Sequence, residues 1–588
     1  MKAKQNKLSL KESFIQIKRI FKYARPYRGY LYLSLFCYFV SAVLLALIPM
    51  LIGEAVDHII GPGNVNFDII LRYIVYLILC IIGGCFLDWL ATIFENKLSY
   101  ATALNIRKDL FGKILKLPFS SLDKIPRGDY LSRMVNDVEN ITDGFLEGIT
   151  IVFSGAVSIV LNVILMFKLN WILAILVMVF TPLSVFMTLY IAKKSKKLYV
   201  DHANATGDTS AYIEEMFTNQ KVVKAFSYEE RALAGFDVEN EKLFKSGVKS
   251  HFYGSMGGPA TRVINGIVYG VVGFTGAILA LNGRVTVGVI SAFLNYADQY
   301  ARPFNEISGV VTDIQTALAS CHRVFEIIDK ANEPDDSMLP ELTSCDGSIT
   351  IENMSFSYNP KQRLLENFNL HVEPGQKIAI VGPTGCGKTT FINLLMRFYD
   401  VTGGSIKLGE TPINSITRKS LRQQYGMVLQ ESWLFSGTIR DNIAFGKPSA
   451  TIEEIEEAAK LAGAHDFITR MERGYNTLIN EGGDNISQGQ KQLICIARII
   501  LIKPKLLILD EATSNIDTRA EMEIQKAFNT VMQGKTSFMV AHRLSTIVGS
   551  DVILVMNKGQ VVEQGTHEEL LKKKGFYYHL YNSQFNVV

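Results

Sequence analysis

The sequence feature that most constrains the fold is a glycine-rich run, GPTGCGKTT at residues 382–390, which follows the apolar residues 377–381. Its spacing fits G-x-x-x-x-G-K-[ST], in which backbone N–H groups of a loop between a strand and a helix surround a polyphosphate. The three glycines let the main chain approach the phosphates without an intervening Cβ. Residues 389–399 are predicted to form the helix, whose N-terminal partial charge attracts the same anion. The run therefore predicts a nucleotide site in an α/β domain.

Four side chains give this site its expected chemistry. Lys388 is predicted to reach the β- and γ-phosphates, and the Thr389 hydroxyl to ligate Mg²⁺. A second buried strand at residues 505–510 ends in Asp510, with Glu511 directly after it. Because ligands of such sheets lie at the carboxyl ends of the strands, we expect Asp510 to hold Mg²⁺, directly or through water. We expect Glu511 to polarise the attacking water. ATP and Mg²⁺ are therefore the expected cofactors.

Six apolar stretches precede this region, at residues 30–52, 69–93, 145–167, 171–191, 263–281 and 285–301. Most of them approach or exceed the roughly 20 residues that a helix needs to cross the hydrocarbon layer. The fifth and sixth contain more Gly, Asn and Tyr, so they could face a polar cavity instead of lipid. At 588 residues and a mean hydropathy of +0.18, the chain should hold two or more domains.

The distribution of basic residues predicts the orientation in the cell membrane. Residues 1–28 and the long connections 97–133 and 193–249 are rich in Lys and Arg, whereas the short connections hold almost none. By the positive-inside rule, both termini and both long connections are cytoplasmic. We expect no signal peptide, because no small-residue cleavage site precedes the first apolar stretch. A net charge of +4 with 20% charged residues gives no indication of nucleic-acid binding.

The seven cysteines are scattered without the spacing of a disulfide framework or a zinc site. The long connections are compatible with helices that continue beyond the bilayer and turn near residues 119–125 and 212–226. These two tips could dock on a cytoplasmic domain, or could be solvated helices that only enforce topology.

Ionisable residues near the apolar stretches are a second open question, because each is costly inside the hydrocarbon. Asp298 and Arg302 are four residues apart and could pair with each other. Asp88, Glu54 and Asp57 could belong to a polar pathway or an outer gate. For Glu54 and Asp57, a carboxylate in interfacial water is an equally good interpretation.

From residue 349 to the end, the chain resembles the nucleotide-binding domain of ABC transporters. With six spans in front, it is similar to a half-transporter of the multidrug-exporter type. The motifs in family order are Tyr358 in FSYNP, the Walker A run 382–389, Gln430 in MVLQES, the signature ISQGQ at 486–490, Walker B at 506–510 with Glu511, the D-loop SNID at 514–517, and His542 in VAHRLS.

The resemblance implies an all-α transmembrane domain of six helices followed by an α/β P-loop ATPase domain. The expected boundaries are 1–330 for the membrane domain, 331–347 for a linker and 348–588 for the ATPase domain. Tyr358 would stack on adenine, Gln430 would contact Mg²⁺ and the tips, and His542 would hold the γ-phosphate. The residues expected around the phosphates are Gly382, Pro383, Thr384, Gly385, Cys386, Gly387, Lys388, Thr389 and Thr390.

In this family two ATPase domains enclose two ATP molecules, so the signature of one chain completes the site of the other. Ser487, Gln488, Gly489, Gln490 and Asp517 are therefore expected to face the ATP of a second chain. Gln488 replaces the usual glycine, and SNID stands where SALD is common, whereas the residues that serve this chain's own ATP are intact. This pattern favours a heterodimer whose partner lacks the glutamate after Walker B. A homodimer that tolerates Gln488 is the alternative.

The expected function is ATP-driven export of an amphipathic or lipophilic substrate, of the multidrug or lipid class, across the membrane by alternating access, with this chain as one half of the exporter. An ATP-gated channel or sensor, or a homodimeric lipid or peptide exporter, are the rival functions. Six spans argue against a soluble ABC protein, and the fused ATPase argues against an importer. Phe274, Phe293, Tyr296 and Tyr300 in the last two stretches suit an organic ligand, but they suit helix packing equally well.

Overall fold

The protein is described by a computed structural model that covers residues 10–59, 65–359, 364–428, 432–483, 485–510, 518–540 and 547–585. The chain divides into two compact units. The first unit contains Met1–Leu115 and Pro126–Lys330, and the second contains Lys116–Ile125 and Ala331–Val588. The short segment Lys116–Ile125, between two helices of the first unit, thus belongs to the second unit.

The chain before residue 331 is helical. Its helices are α1 Leu10–Ala24, α2 Arg28–Asp57, α3 Phe67–Ile114, α4 Phe119–Leu122, α5 Arg127–Ser132, α6 Val138–Thr142, α7 Gly148–Leu169, α8 Trp171–Thr218, α9 Gln220–Ala225, α10 Glu229–Ser255, α11 Gly257–Leu281 and α12 Val287–Ile328. Two π-helical turns, Arg133–Asp137 and Asp143–Glu147, join α5 to α6 and α6 to α7. The six predicted apolar stretches all lie in helices, and α3 and α8 continue far beyond the apolar part, as predicted.

Polar caps begin three of the long helices, each in a short connection. The Asn66 side chain accepts from the N–H of Ile69 at 3.3 Å and starts α3. Asn170 accepts from two N–H groups in the first turn of α8, at 3.0 and 3.2 Å. Thr286 accepts from the N–H of Val289 at 3.2 Å and starts α12. These side chains satisfy N–H groups that a helix leaves without an intrahelical partner.

Four helical segments within the described residues are long and apolar enough to cross a membrane: Ser13–Asp57, Phe67–Ile114, Arg127–Leu169 and Arg262–Leu281. The described apolar part of α8, Trp171–Leu183, is shorter. The sixth stretch, in α12, is not among these four segments; Asp298 lies within it and Arg302 directly follows it. These two side chains form the expected ion pair, with 2.7 Å between Arg302 Nη2 and Asp298 Oδ2.

Packing between helices accounts for most of the aromatic residues that were candidates for cargo contact. Phe293 and Tyr296 are fully buried, and Tyr300 is nearly so, in a cluster with Val177 and Val272. The Tyr296 hydroxyl donates to the carbonyl of Ala46 at 2.9 Å. Their burial supports the packing interpretation for these three, whereas Phe274 on α11 is exposed.

Asp57 has a structural role at the end of α2. Its Oδ1 accepts from the N–H of Gly288 at 2.7 Å, and its Oδ2 accepts from the Thr286 hydroxyl. A Cβ on Gly288 would lie 1.9 Å from the carbonyl oxygen of Gly53, so glycine is required where α2 and α12 touch. Asp57 therefore caps α12. This observation favours neither an outer gate nor a free interfacial carboxylate for Asp57.

The second unit alternates strands and helices after residue 348. Its strands are β1 Ile349–Phe356, β2 Leu365–Val372, β3 Lys377–Val381, β4 Gly403–Leu408, β5 Thr411–Pro412, β6 Tyr425–Val428, β7 Gly437–Thr438, β8 Leu478–Ile479, β9 Leu506–Asp510, β10 Thr536–Val540, β11 Val552–Asn557 and β12 Gln560–Gly565. Its helices are α13 Lys388–Leu395, α14 Arg418–Gln423, α15 Ile439–Ile443, α16 Ile452–Leu461, α17 His465–Thr469, α18 Gln488–Ile502, α19 Thr518–Met532, α20 His567–Lys573 and α21 Phe576–Phe585.

The strands form three sheets. A six-stranded sheet has the order β12-β11-β3-β10-β9-β6, with β11, β3, β10, β9 and β6 parallel and β12 antiparallel at one edge. An antiparallel sheet has the order β2-β1-β4-β5, and β7 pairs with β8. One core lies between the two larger sheets and α13, and a second lies among α15, α16, α18 and α19. The predicted fold class, a helical membrane domain followed by an α/β ATPase domain, is confirmed.

The helix after the glycine run is shorter than the sequence predicts. We expected it to continue to residue 399, but α13 ends at Leu395. Arg397 has a φ of 50°, in the left-handed region that terminates helices. The segment from Arg397 to Asp400 consequently leaves the helix axis, and its side chains take part in the contacts described below.

Candidate ATP site

The glycine run forms a tight loop between β3 and α13. Gly387 has a φ of 106°, and a Cβ there would lie 3.2 Å from the Leu365 side chain. A Cβ on Gly382 would lie 2.2 Å from the carbonyl oxygen of Met556, on the neighbouring strand β11. Both positions therefore require glycine, and the loop turns directly into the N-terminus of α13. A phosphate that approaches this loop meets backbone N–H groups and a helix N-terminus.

Lys388 folds back over the loop. Its Nζ donates to the carbonyl of Gly382 at 2.7 Å and to that of Pro383 at 3.2 Å. An ammonium group held by two carbonyls above a ring of N–H groups lies where a polyphosphate would need a counter-charge. Thr389 is exposed, whereas Cys386 and Thr390 are buried. The side chains of Cys386 and Thr390 belong to the packing of the domain, so only their backbone is suited to phosphate contact.

The sheet brings the second predicted element to the same edge. Val540 of β10 lies opposite Ile380 of β3 on one side and opposite Asp510 of β9 on the other. Asp510 is thus in register with Ile380, two residues before Gly382, and β10 lies between the two strands. Because adjacent strands are about 4.8 Å apart, Asp510 is about 10 Å from Ile380 in the sheet, and the loop begins two residues further along the chain. A carboxylate and the Thr389 hydroxyl are oxygen ligands that Mg²⁺ accepts, so the residues present fit the ion.

Four predicted site residues lie outside the described part of the chain: Gln430, Glu511, Asp517 and His542. In the sequence, Gln430 follows β6 by two residues, Glu511 follows β9 directly, and His542 follows β10 by two residues. Their roles remain predictions from the sequence.

Tyr358, the expected adenine contact, is half exposed at the end of the β1 region, with 50% of its surface accessible. Its ring is held edge-on by Phe356 at 4.9 Å and by Tyr399 at 5.0 Å between centroids. The Asn393 side chain on α13 lies 3.5 Å from its hydroxyl. A ring that is fixed at its edges and accessible elsewhere is suited to stacking on a planar base.

The signature begins a long helix in the other core of the domain. Ser487 caps α18, and Gly489 is buried in its first turn, whereas Ser487 and Gln488 are exposed. Ile486 and Leu493 belong to the helical core, and Cys386 of the glycine run belongs to the core between the sheets. The two predicted phosphate-binding elements are thus anchored in different parts of the domain.

The first tip packs on the ATPase domain of its own chain, within the second unit. The ring of Phe119 lies 4.5 Å from that of Phe398, and the Tyr399 hydroxyl donates to Asp123. The carbonyl of Lys116 accepts from the N–H of Glu333 at 2.8 Å. A cavity of about 630 Å³ lies here, lined among others by Lys124, Tyr358 and Arg418. The docking interpretation for residues 119–125 is therefore confirmed.

The linker is fixed to the domain by ion pairs. Arg418 at the start of α14 is 6% exposed and contacts three carboxylates, those of Glu333 at 3.2 Å, Asp336 at 3.3 Å and Asp400 at 3.1 Å. The backbone carbonyl of Pro340 also accepts from the N–H of Thr417 at 3.1 Å. The first half of the segment predicted as a polar linker is therefore bound to the start of α14.

Sequence reasoning missed the residues on which this docking depends. Phe398 and Tyr399 were assigned to a helix, and Arg418 and Glu333 were not singled out. One signal was available: the sequence RFYD at residues 397–400 places two aromatic rings between opposite charges immediately after the predicted helix. Such a pattern on a polar domain is typical of a contact surface.

The second tip, formed by the end of α8 and by α9, belongs to the first unit. Three large apolar side chains on it are exposed: Phe217, Val222 and Phe226, the last at 79%. Exposed apolar residues at a helical turn indicate a contact surface more than a solvated loop.

Comparison with known proteins agrees with both units. The family described as the ABC transporter transmembrane region matches residues 31–304, and the ABC transporter family matches residues 365–514. A fatty acid ABC transporter ATP-binding/permease protein of Mycobacterium bovis is 38% identical over 88% of this chain and 82% of its own length. An ATP-dependent lipid A-core flippase of Syntrophus aciditrophicus is 34% identical over 97% of this chain and 94% of its own.

Among solved structures, a bacterial Atm1-family ABC exporter with ATP bound matches with a TM-score of 0.73. It is 29% identical and the match covers 95% of this chain and 98% of that one. The matches to these relatives and to this structure span both units of the chain. From the loop geometry, the sheet register and these matches, it follows that this chain belongs to the ABC transporters, as a membrane-integral half-transporter of the exporter type whose ATPase domain couples ATP hydrolysis to transport.

Proposed function

We propose that this chain is one half of an exporter that moves an amphipathic or lipophilic molecule across the cell membrane by alternating access. The observation that carries the proposal is the docked first tip. Residues between α3 and the helical segment Arg127–Leu169, both of which are long enough to cross the membrane, pack on the ATPase domain through Phe119 and Phe398. A displacement of that domain would therefore be passed to two helices that cross the membrane.

In the ATPase domain we assign the roles as follows. The loop from Gly382 to Thr390 surrounds the phosphates, and Lys388 exchanges its two carbonyl partners for phosphate oxygens when ATP binds. Thr389, Asp510 and Gln430 would hold Mg²⁺, which would supply positive charge beside the transferred phosphoryl group. Glu511 orients the attacking water, and His542 contacts the γ-phosphate. Tyr358 stacks on the base.

The signature serves a second chain. The exposed N-terminus of α18, with Ser487, Gln488 and Gly489, is anchored in a different core from the glycine run. In the proposed dimer, this helix end and Asp517 cap the ATP that the partner's own loop binds. Because Gln488 alters this half of the site only, we propose a heterodimer whose partner lacks the glutamate after Walker B. A homodimer is the alternative outcome.

The second tip is proposed to dock on the ATPase domain of the partner chain. The first tip already packs on the domain of its own chain, and the exposed Phe217, Val222 and Phe226 offer a matching apolar surface. Each ATPase domain in the dimer would then hold one tip from each chain.

The arrangement in the membrane follows the sequence prediction. Residues 1–330 form the membrane domain, 331–347 the linker and 348–588 the ATPase domain, with both termini in the cytoplasm. The substrate class is supported by the names of two relatives, a fatty acid transporter and a lipid A-core flippase.

The decisive experiment uses inverted membrane vesicles that contain the assembled transporter. Uptake of a fluorescent amphipathic probe against its gradient, dependent on ATP and abolished by Glu511→Gln, is the expected result. Flux only down the gradient, supported equally by a nonhydrolysable ATP analogue, would instead identify an ATP-gated channel. If this chain purifies alone as an active dimer, the transporter is a homodimer and the proposed heterodimer is wrong.

A further inference from the structure

Tyr399 lies between the base site and the first tip and touches both. Its ring meets the ring of Tyr358 at 5.0 Å between centroids, with an interplanar angle of 88°. Its hydroxyl donates to the carboxylate of Asp123 in the tip. Burial and this hydrogen bond to Asp123 raise the pKa of the Tyr399 hydroxyl. The hydroxyl is therefore a donor throughout the physiological pH range.

The segment that carries Tyr399 is held firmly. Arg397 is buried and donates to the carbonyls of Ile413 and Ile416, both at 2.9 Å, and to Asp400 at 2.9 Å. The Arg422 guanidinium lies 5.2 Å from the centre of the Phe398 ring. Tyr399 is thus flanked on both sides by residues with fixed partners, so it cannot easily accommodate a shift of Tyr358 or of Asp123.

The two neighbours of Tyr399, Tyr358 and Asp123, are more exposed than Tyr399 itself. Tyr358 is half exposed and would receive the base, and the described contacts of the tip include the Phe119 ring contact, the Asp123 hydrogen bond and the Lys116 backbone hydrogen bond. The cavity of about 630 Å³ between them gives both room to move. A ligand that contacts Tyr358 therefore affects Asp123 through the rigid Tyr399 ring, and a contact at Asp123 affects Tyr358 in the same way.

We infer that Tyr399 is a positioning residue that couples recognition of the adenine base on Tyr358 to docking of the first tip through Asp123. The inference rests on the proposed role of Tyr358 in base stacking. A base on Tyr358 restricts that ring against Tyr399, and the Tyr399 hydroxyl in turn holds the carboxylate of Asp123 in the tip. The phosphates alone bind at the loop before α13 and lack this effect. The transporter then distinguishes ATP from a triphosphate without a base by tip docking as well as by affinity.

Coupling of this kind is reciprocal. If the base stabilises the docked tip by some factor, the docked tip strengthens binding of the base by the same factor. Loss of the Tyr399 hydroxyl should therefore weaken ATP binding and leave binding of a triphosphate without a base unchanged. For one hydrogen bond at a partly exposed site, we expect a change of about five-fold.

The experiment compares ATP with inorganic tripolyphosphate, both with Mg²⁺, on the assembled transporter in lipid nanodiscs. Two quantities are measured: the dissociation constant of each ligand, and the hydrogen-exchange rate of the backbone amides in residues 116–125. The variants are Tyr399→Phe, which removes the hydroxyl and retains the ring, and Asp123→Asn. The matched control is Tyr475→Phe, which removes another tyrosine hydroxyl of the same domain, hydrogen-bonded to His465 at 2.8 Å.

In the unmodified protein, ATP should slow exchange in the tip and tripolyphosphate should not. In Tyr399→Phe and Asp123→Asn, ATP should bind about five-fold more weakly, tripolyphosphate should bind as before, and the ATP-dependent protection should disappear. Tyr475→Phe should behave as the unmodified protein. Equal weakening of both ligands, or protection that persists in Tyr399→Phe, would overturn the inference.

The outcome also separates this inference from the proposed function. If Tyr358→Ala leaves the preference for ATP over tripolyphosphate intact, the assignment of the base site is wrong, and the inference falls with it. If vesicles transport the probe uphill and Tyr358→Ala removes the preference, but Tyr399→Phe does not alter tip exchange, the proposed function stands and only the coupling is refuted.

Discussion

Ser487 and Gln490 cap the first turn of α18 reciprocally. The Ser487 hydroxyl accepts from the N–H of Gln490 at 3.3 Å, and the Gln490 side-chain oxygen accepts from the N–H of Ser487 at 3.0 Å. Two of the signature's polar side chains thus form the helix cap, which leaves Gln488 exposed and uninvolved in it. The departure from the family's signature lies at a position that the fold does not constrain, so its effect should be on function.

Restoring glycine at position 488 tests the composition of the dimer. In the proposed heterodimer, Gln488→Gly should leave ATP hydrolysis unchanged, because the site completed by this signature lacks the partner's glutamate. Both cap hydrogen bonds persist, so the unfolding temperature should change little. Steady-state phosphate release from the purified transporter is the measurement. A several-fold rise would mean that two competent sites use this signature, as in a homodimer.

Lys388 should be essential for hydrolysis but not for folding. Within the described residues, its ammonium group donates to two loop carbonyls and to the Cys386 sulfur, the last at 3.9 Å. Lys388→Met should lower kcat by about 10²–10³, the usual cost of one charge-stabilising donor. The unfolding temperature without nucleotide should be retained. Exposed Lys419 in the same domain provides a control, because Lys419→Met should leave both quantities unchanged.

Glu511 is expected to act in the chemical step. Glu511→Gln should lower kcat by about 10²–10⁴, the contribution typical of a positioned base. ATP binding, followed with a fluorescent nucleotide, should be retained or strengthened, because the γ-phosphate then stays between the two domains. Brisk hydrolysis by the assembled variant would show that the competent site belongs to the other chain.

Asp57 should matter for stability more than for transport. Asp57→Ala removes the acceptor for Gly288 N–H and should lower the free energy of unfolding by about 1 kcal/mol, as loss of a helix cap usually does. Asp57→Asn retains a side-chain oxygen and should recover most of the loss. Thermal unfolding in detergent and vesicle transport are measured together, with Glu54→Gln as the neighbouring control. A transport defect in Asp57→Asn at unchanged stability would restore the outer-gate interpretation.

Arg418 should fix the linker to the ATPase domain. Its guanidinium is buried against carboxylates that are 23–55% exposed, so solvent screening reduces the value of each pair. Arg418→Met should lower the free energy of unfolding by about 1–2 kcal/mol. It should also increase protease cleavage within residues 331–347. Unaltered protease cleavage in Arg418→Met would show that Arg418 does not fix the linker to the ATPase domain.

The sequence by itself determined the chemistry and the class of this protein. The spacing of the glycines, Lys388 and Thr389 is a local property, and the carboxyl end of a strand places Asp510 near them in any parallel sheet. The length of the apolar stretches likewise predicts membrane helices without knowledge of their neighbours. The glycine run and the apolar stretches depend on residues close together in the chain, and the placement of Asp510 depends on a general rule about strand ends.

The tertiary structure decided the contacts between residues far apart in the chain. Only the fold shows that Asp57 caps a helix that begins at Val287, that Tyr296 packs inside the helices, and that Tyr399 joins Tyr358 to Asp123. A distant contact also explains why α13 is short. Arg397, whose left-handed backbone conformation follows the end of this helix, donates to the carbonyls of Ile413 and Ile416. The pattern of apolar and polar residues in the sequence does not identify such partners. Each contact stabilises the protein only after folding has brought together two residues that are far apart in the chain.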